Sequence, residues 1–208
     1  KTDFPHASIV LIHGMGDHSR ALPYKFFTDY FVTENFEVYT FDLPGHGINM
    51  GQLSSKFSWD ELTEYCHTKV IHICSQTKEP MFIAGLSLGG LLAMNYALMH
   101  PENIRGVVAV SPALDACGSP SLVRHLVKWL ARYVPKIKIN PKLNLCYISR
   151  DKEAVEVYTR DPYWQESFPI VFANAVLEGI KEFNENAHFV QSPLLMQQGI
   201  ADKLVPNE

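Results

Sequence analysis

The chain has 208 residues, of which 47% are apolar and 19% charged, and its formal net charge is −4. This composition is ordinary for one sizeable globular domain, with or without an insertion, and its acidic balance gives no electrostatic case for binding nucleic acid. No apolar run approaches the roughly 18 residues that span a bilayer, and no signal-peptide pattern stands at the start. Since the chain begins at Lys1 rather than Met, its start carries no information about a leader.

Four cysteines are too few and too scattered for a disulfide scaffold or a zinc site: Cys66, Cys74, Cys117 and Cys146. Cys66 and Cys74 lie about 12 Å apart along a predicted helix, which is beyond disulfide reach. We therefore expect reduced thiols in a cytoplasm-like compartment. The expected location is cytoplasmic or at the periphery of a membrane.

Apolar strands alternate with helical stretches through the first half of the chain. Strands are predicted over residues 7–12, 36–41, 81–85 and 104–110, and helices over 24–33, 58–74 and 88–100. The second helix opens on Ser58 and Glu61, which form a capping box, and the third is stopped by Pro101. This alternation predicts an α/β fold, with a mostly parallel sheet, helices on both faces and ligands at the carboxyl ends of the strands.

The alternation of apolar strands and helices stops after Pro112. Residues 113–190 contain helical patterns without a convincing buried strand, and residues 192–199 resume the sheet. This helical segment is inserted between two sheet strands, on the side of the sheet where the glycine-rich and polar turns lie. Such an insertion indicates a cap that covers a functional site. The predicted organisation is a first part of the core at 1–112, a helical cap at 113–190, and a last core strand with its loop at 191–208.

The hexapeptide at 85–90, Gly-Leu-Ser-Leu-Gly-Gly, lies between a predicted strand and a predicted helix. In this context G-x-S-x-G indicates a nucleophile elbow, with Ser87 as the nucleophile. A tight turn leaves no room for side chains two residues on either side, which explains glycine at Gly85 and Gly89. The hydroxyl is lifted clear of the sheet, near a helix N-terminus that favours negative charge.

A serine nucleophile needs an oxyanion hole, an imidazole base and a carboxylate that orients the base. Asp202, after the strand that follows the cap, is the candidate acid. The dipeptide Ala201-Asp202 alone does not distinguish it from an aspartate in a surface turn. The oxyanion donors are predicted to be the N–H groups of Leu88 and Met15. The second lies in the loop His13-Gly14-Met15-Gly16, where Gly14 and Gly16 permit close approach of the backbone.

Three loops together resemble the monoacylglycerol lipase and lysophospholipase branch of the α/β-hydrolases: residues 13–19 (HGMGDHS), 42–47 (DLPGHG) and 85–90 (GLSLGG). The predicted cap resembles this branch at Ser149-Arg150-Asp151, Val155, Tyr158 and Asp161-Pro162, as does the segment 194–202. The resemblance covers nearly the whole chain in order. It departs at Leu86, where the mammalian lipases of the branch carry histidine, and at Asn49, where serine is frequent.

This resemblance implies an α/β-hydrolase fold with a helical cap. It implies cleavage of a carboxylic ester, a monoacylglycerol or a lysolipid, through an acyl-enzyme and without a metal or an organic cofactor. It places the catalytic histidine about thirty residues after the acid, beyond one more strand.

None of the nine histidines follows Asp202, so the base is expected after Glu208, and one or two elements of the fold are expected to be missing at each end. The 208 residues alone are then expected to be a poor catalyst, because losing a triad member costs on the order of 10⁴ to 10⁶ in rate. His188 precedes the last strand and fits the order poorly. His13 and His46 are expected to shape loops near the site, and the rest to lie at the surface or at helix ends: His6, His18, His67, His72, His100 and His125.

The predicted cap helix 122–134 has an apolar face formed by Leu122, Leu126, Trp129, Leu130 and Tyr133, with basic residues elsewhere. This pattern fits either transient docking on a lipid interface or ordinary packing of the cap onto the core. Phe168 and residues 170–172 similarly fit either an acyl pocket or the interior of the cap.

Two other functions remain open. The same site acts on amides in the related serine aminopeptidases, which are expected to hold an amino terminus in an acidic cluster; Glu153, Glu156 and Asp161 do not obviously form one. A binding protein without catalysis is the alternative suggested by the missing histidine.

Overall fold

The computed structural model describes residues 5–51, 53–115, 121–141 and 144–205. Along the chain the elements are β1 (Ser8–Ile12), α1 (Leu22–Thr33), β2 (Glu37–Thr40), α2 (Trp59–Cys74), β3 (Met81–Leu86), α3 (Leu88–Met99), β4 (Gly106–Val110), α4 (Ser121–Tyr133), β5 (Lys138–Ile139), α5 (Lys152–Arg160), β6 (Phe168–Pro169), α6 (Ile170–Asn186) and β7 (Leu194–Gln197). Cys117 and Glu208 lie outside the described residues. No helix in the described ranges is long and apolar enough to cross a bilayer.

The main sheet has five parallel strands in the order β2-β1-β3-β4-β7. In the register, Ile12 lies opposite Gly85 and Leu86 opposite Val110, so β1, β3 and β4 end side by side. Every residue of β1 is buried, as expected for a strand covered on both faces. The predicted α/β fold with a mostly parallel sheet is confirmed, and the carboxyl ends of its strands form one edge.

Local signals explain the ends of the helices. At the start of α2, the Ser58 hydroxyl accepts a hydrogen bond from the Glu61 N–H at 3.2 Å, and the Glu61 carboxylate accepts one from the Ser58 N–H at 3.1 Å. This is the predicted capping box. Helix α1 begins at Leu22, two residues earlier than predicted, because Pro23 fits the first turn of a helix.

Three helices, α4 to α6, and the two-residue antiparallel pair β5–β6 lie between β4 and β7. Helix α6 contributes Phe172 and Phe183 to the same apolar cluster as the sheet. Phe168 and residues 170–172 are all buried, which fits both the acyl pocket and the interior of the cap. The division of the chain into a core and a cap stays a prediction.

Helix α4 packs against α6, but not through its predicted apolar face. Ala131 is buried, whereas Leu122, Leu126, Trp129 and Tyr133 are 79%, 53%, 57% and 61% exposed. Helical spacing puts these four side chains on one stripe, which we call the α4 ridge. The fifth residue of the predicted face, Leu130, is half-buried, so packing onto the interior accounts for that residue and not for the α4 ridge.

Candidate active site

Ser87 lies between β3 and α3 in a conformation that residues with side chains seldom adopt, with φ 54° and ψ −115°. Backbone hydrogen bonds to neighbouring segments hold Ser87 in this conformation. Its N–H donates to the Val110 carbonyl at 3.0 Å, and its carbonyl accepts from the N–H groups of Leu91 at 3.0 Å and Ala113 at 3.1 Å. A positive φ at a serine costs roughly 1–3 kcal/mol and persists where the surroundings enforce it, which is typical of functional positions.

Two glycines make this turn possible. A Cβ atom at Gly85 would collide with the backbone of Gly89, and one at Gly89 would collide with the backbone of Ile12 at the end of β1. Helix α3 therefore starts directly against the sheet, as the steric reasoning from the sequence predicted.

The Gly89→Ala substitution is expected to destabilise the fold by at least about 3 kcal/mol, because backbone atoms of β1 have to move. Gly199→Ala is the matched control, since its Cβ would meet no atom closer than 3.7 Å. Urea unfolding of both variants measures the difference. Equal stabilities would contradict this steric account of the elbow.

The predicted oxyanion loop lies beside Ser87. The Cβ position of Gly14 is 3.3 Å from the Leu86 carbonyl oxygen and 3.5 Å from the Ser87 Cβ. Leu88 is the first residue of α3, where a helix leaves its N–H groups without intrahelical acceptors. Within the described part of the chain, neither the Met15 nor the Leu88 N–H donates to another protein group. Two N–H groups without protein acceptors thus lie in the segments next to Ser87, which is what an oxyanion hole requires.

His13 and His46 are fully buried and already bonded to the loops around the site. The His13 Nε2 accepts from the Leu43 N–H at 2.9 Å, and its Nδ1 donates to the Gly14 carbonyl at 2.8 Å. The His46 Nδ1 donates to the Pro44 carbonyl at 3.0 Å. Burial lowers the pKa of His13 to about 3 and that of His46 to about 4. Both imidazoles are therefore neutral at pH 7, and their hydrogen bonds stabilise the loops around the site.

These lowered pKa values predict loss of stability in acid. A histidine with a lowered pKa in the fold stabilises fully above its unfolded value near 6.5, and that contribution is lost as the pH falls toward 4. Between pH 7 and pH 5, His46 alone should account for about 2 kcal/mol of the decrease in unfolding free energy. His46→Gln should flatten the pH dependence by this amount, whereas exposed His125→Gln should not. The measurement is the unfolding free energy from urea unfolding at each pH. If it changed equally with pH in wild type and His46→Gln, the lowered pKa of His46 would be refuted.

Asp202 follows β7 at the same sheet edge as Ser87. Its Oδ1 accepts from the N–H groups of Leu204 at 2.9 Å and Val205 at 3.0 Å, and its Oδ2 accepts from the Gln198 side chain at 3.1 Å. Partial burial raises the pKa of Asp202, but these donors and the Ser111 hydroxyl outweigh burial and leave the pKa below its ordinary value. The carboxylate is thus fixed and ionised.

Neighbouring hydrogen bonds connect Asp202 to the elbow. The Ser111 N–H donates to the Gln197 carbonyl at 2.7 Å, at the ends of β4 and β7, and the Val110 carbonyl accepts from the Ser87 N–H. The structure brings Ser87, Met15, Leu88 and Asp202 to one edge. It shows no imidazole in the position of the base among the described residues, and no group of three His, Cys, Asp or Glu side chains in that part of the chain is arranged to hold a metal ion.

The residue at 49, where the sequence departs from the resemblance, has a structural role. The Asn49 side chain donates to the Asp42 carbonyl at 2.7 Å and to the Tyr65 hydroxyl at 3.2 Å. The Asp42 carboxylate in turn accepts from the N–H groups of Ser19 at 2.7 Å and Ile48 at 2.9 Å. Asn49 therefore ties the loop at 42–47 to α2.

A second set of polar residues near the site was not predicted. Asp17 and His18, in the oxyanion loop, bond to Tyr158 and Asp161 in or just after α5, each at 2.9 Å. The expectation that His18 lies at the surface is wrong, since it is only 3% exposed. The sequence offered a weak signal, because all four residues lie in the segments that carry the family resemblance.

Comparison with known proteins matches residues 3–208 to the family described as serine aminopeptidase, S33. The chain is 25% identical to human monoglyceride lipase over 98% of this chain and 67% of that protein, and 26% identical to Bacillus subtilis phospholipase YtpA over 99% and 79%. The crystal structure of Paleococcus ferrophilus monoacylglycerol lipase superposes with a TM-score of 0.86 at 31% identity, over 97% of this chain and 77% of that one.

The chain spans only part of each of these relatives, and 21% of an abhydrolase domain-containing protein of Dictyostelium discoideum. The matches nevertheless extend over nearly the whole of this chain. The chain therefore belongs to the serine aminopeptidase S33 family and, within it, to the monoacylglycerol lipase-like branch of the α/β-hydrolases.

Proposed function

We propose that the protein is a serine hydrolase that cleaves carboxylic esters of lipids, monoacylglycerols or lysophospholipids, through an acyl-enzyme. The observation that carries this proposal is the strained Ser87 turn, flanked by the free N–H groups of Met15 and Leu88. Strain at a nucleophile, and donors without protein acceptors beside it, are what acyl transfer requires. The names of the relatives, monoglyceride lipase and phospholipase, supply the substrate class.

In the proposed mechanism the Ser87 oxygen attacks the ester carbonyl while its proton passes to a histidine that follows Glu208 in the full-length protein. The carbonyl oxygen becomes an oxyanion that accepts hydrogen bonds from Met15 and Leu88. Collapse of this intermediate breaks the ester bond, and the histidine returns the proton to the leaving alcohol. Water, activated by the same histidine, then hydrolyses the acyl-enzyme, and Asp202 orients and stabilises the imidazolium throughout.

The α4 ridge supports a transient contact with the membrane that supplies such substrates. The same helix carries the exposed cations Arg124 and Arg132, and Arg132 lies over the ring of Tyr133 in the ridge. Lys128 is instead directed to Glu178 on α6. Apolar side chains that enter the interface next to cations that attract anionic headgroups favour a lipid surface.

Vesicle sedimentation tests this contact. Full-length protein should bind phosphatidylcholine vesicles containing phosphatidylserine, and Trp129→Glu should weaken that binding at least tenfold. Phe26→Glu is the control, because Phe26 is an equally exposed apolar residue on α1. Equal binding by both variants would rule out the ridge as the contact.

An amide substrate is the second candidate, because the family is described as serine aminopeptidases. In the described part of the predicted cap, Glu153, Glu156 and Asp161 do not gather to hold an amino terminus. Glu156 pairs with Arg160 one turn away, Asp161 bonds to His18, and Glu153 is exposed at the start of α5. The geometry therefore favours the ester.

Hydrolysis assays on full-length protein separate the candidates. A monoacylglycerol and a lysophosphatidylcholine should be cleaved, and an aminoacyl anilide should not. Faster cleavage of the anilide would replace the ester proposal with the amidase one, and inactivity toward all three would favour a binding protein.

A further inference from the structure

Asp17 is a buried carboxyl group whose hydrogen bonds come from a backbone amide and a tyrosine hydroxyl. It is 4% exposed, and its Oδ1 accepts from the His18 N–H at 2.9 Å while its Oδ2 accepts from the Tyr158 hydroxyl at 2.9 Å. The nearby Tyr24 hydroxyl also lowers the pKa of Asp17. Among the described residues no Lys or Arg side chain forms an ion pair with it. Burial raises the pKa of Asp17 to about 6, so keeping it ionised at neutral pH depends on these donors.

The backbone of Asp17 is bonded directly to the oxyanion loop. Its N–H donates to the Gly14 carbonyl at 3.3 Å, and the Gly14 N–H in turn donates to the Tyr24 hydroxyl at 2.9 Å. Gly14 directly precedes Met15, the proposed oxyanion donor, and its Cβ position lies 3.5 Å from the Ser87 Cβ. The Asp17 N–H therefore holds the Gly14–Met15 peptide, which carries the Met15 N–H.

The other side of this network comes from α5 and the segment after it. Tyr158 is 141 residues from Asp17 in sequence and 5% exposed. Two further bonds run in parallel: His18 to Asp161 at 2.9 Å, and the Gln165 N–H to the Gly16 carbonyl at 2.8 Å. Three hydrogen bonds thus join residues 158–165 to the loop at 16–18.

We propose that Asp17 and Tyr158 are positioning residues, which together make the oxyanion hole competent only while α5 is seated on the loop. A movement of α5 that withdraws the Tyr158 hydroxyl leaves Asp17 with one hydrogen-bond donor fewer, and it loosens the turn in which the Asp17 N–H holds the Gly14–Met15 peptide. The proposal rests on the ester hydrolase function and adds a coupling between the α5 segment and the transition state.

The test variant is Tyr158→Phe in the full-length protein, which keeps the ring and removes one hydrogen bond. Tyr163→Phe is the control, because Tyr163 lies on the same segment and contacts the ring of His18 without bonding to Asp17. With a p-nitrophenyl ester, Tyr158→Phe should lower kcat about tenfold and leave KM within about twofold. Binding of a trifluoromethyl ketone, which mimics the tetrahedral intermediate, should weaken by the same factor.

A readout independent of catalysis is hydrogen exchange at the Asp17 amide, which donates to the Gly14 carbonyl; exchange there should be faster in Tyr158→Phe and unchanged in Tyr163→Phe. Asp17→Asn serves the same purpose if Tyr158→Phe fails to fold. An unchanged kcat and unchanged exchange, a loss confined to KM, or an equal effect in Tyr163→Phe would overturn the coupling. If exchange were faster in Tyr158→Phe but the wild-type protein had no esterase activity, the hydrogen-bonded link between the α5 segment and the loop would be supported. The proposed function, and the catalytic role of this link, would then be wrong.

Discussion

The Ser87→Ala variant of the full-length protein is expected to lose ester hydrolysis by a factor of about 10⁴ to 10⁶ in kcat. The reason is chemical: without the hydroxyl no acyl-enzyme forms, and only binding and the oxyanion donors remain to assist attack by water. The thermal unfolding midpoint should stay close to that of wild type, since the strained backbone and its bonds to Val110 and Ala113 do not depend on the hydroxyl.

Ser54→Ala is the matched control for this experiment, because Ser54 is an exposed serine in a loop. Its activity should equal that of wild type. A Ser87→Ala enzyme that keeps more than a tenth of wild-type activity would show that the nucleophile lies elsewhere.

The Asp202→Asn variant should reduce kcat by about 10⁴, because an amide cannot orient and stabilise the imidazolium as a carboxylate does. The substitution is nearly isosteric, and its carbonyl oxygen can still accept from the Leu204 and Val205 N–H groups that now bond to Oδ1. The fold should therefore survive while activity is lost, as circular dichroism and steady-state kinetics would show.

Asp29→Asn is the control, because it removes an exposed carboxylate that pairs with Lys25 on α1. Its kcat should equal that of wild type. A decrease of less than tenfold in Asp202→Asn would remove Asp202 from the proposed triad. The acid would then have to be sought on another strand end.

The sequence predicted the parts of the molecule that depend on local physics. The apolar strands, the capping box at Ser58 and the glycines at 85 and 89 each have a steric or hydrogen-bonding cause within a few residues. For that reason the sheet, its flanking helices and the elbow were found within about two residues of their bounds.

Features that depend on distant contacts were not predicted. The two-residue β5–β6 pair is too short for a periodic pattern. The bond between Asp17 and Tyr158 joins residues far apart in sequence, and a carboxylate and a hydroxyl carry no spacing rule that would pair them. The amphipathic pattern of α4 identified an apolar face, but only packing reveals that the face points to solvent.

The most direct test of the account is to treat the full-length protein with a fluorophosphonate and locate the adduct by peptide mass spectrometry. The account predicts stoichiometric phosphonylation of Ser87, with none in Ser87→Ala and much slower labelling in Asp202→Asn. An unlabelled wild type, or equal labelling of Ser87→Ala, would contradict it.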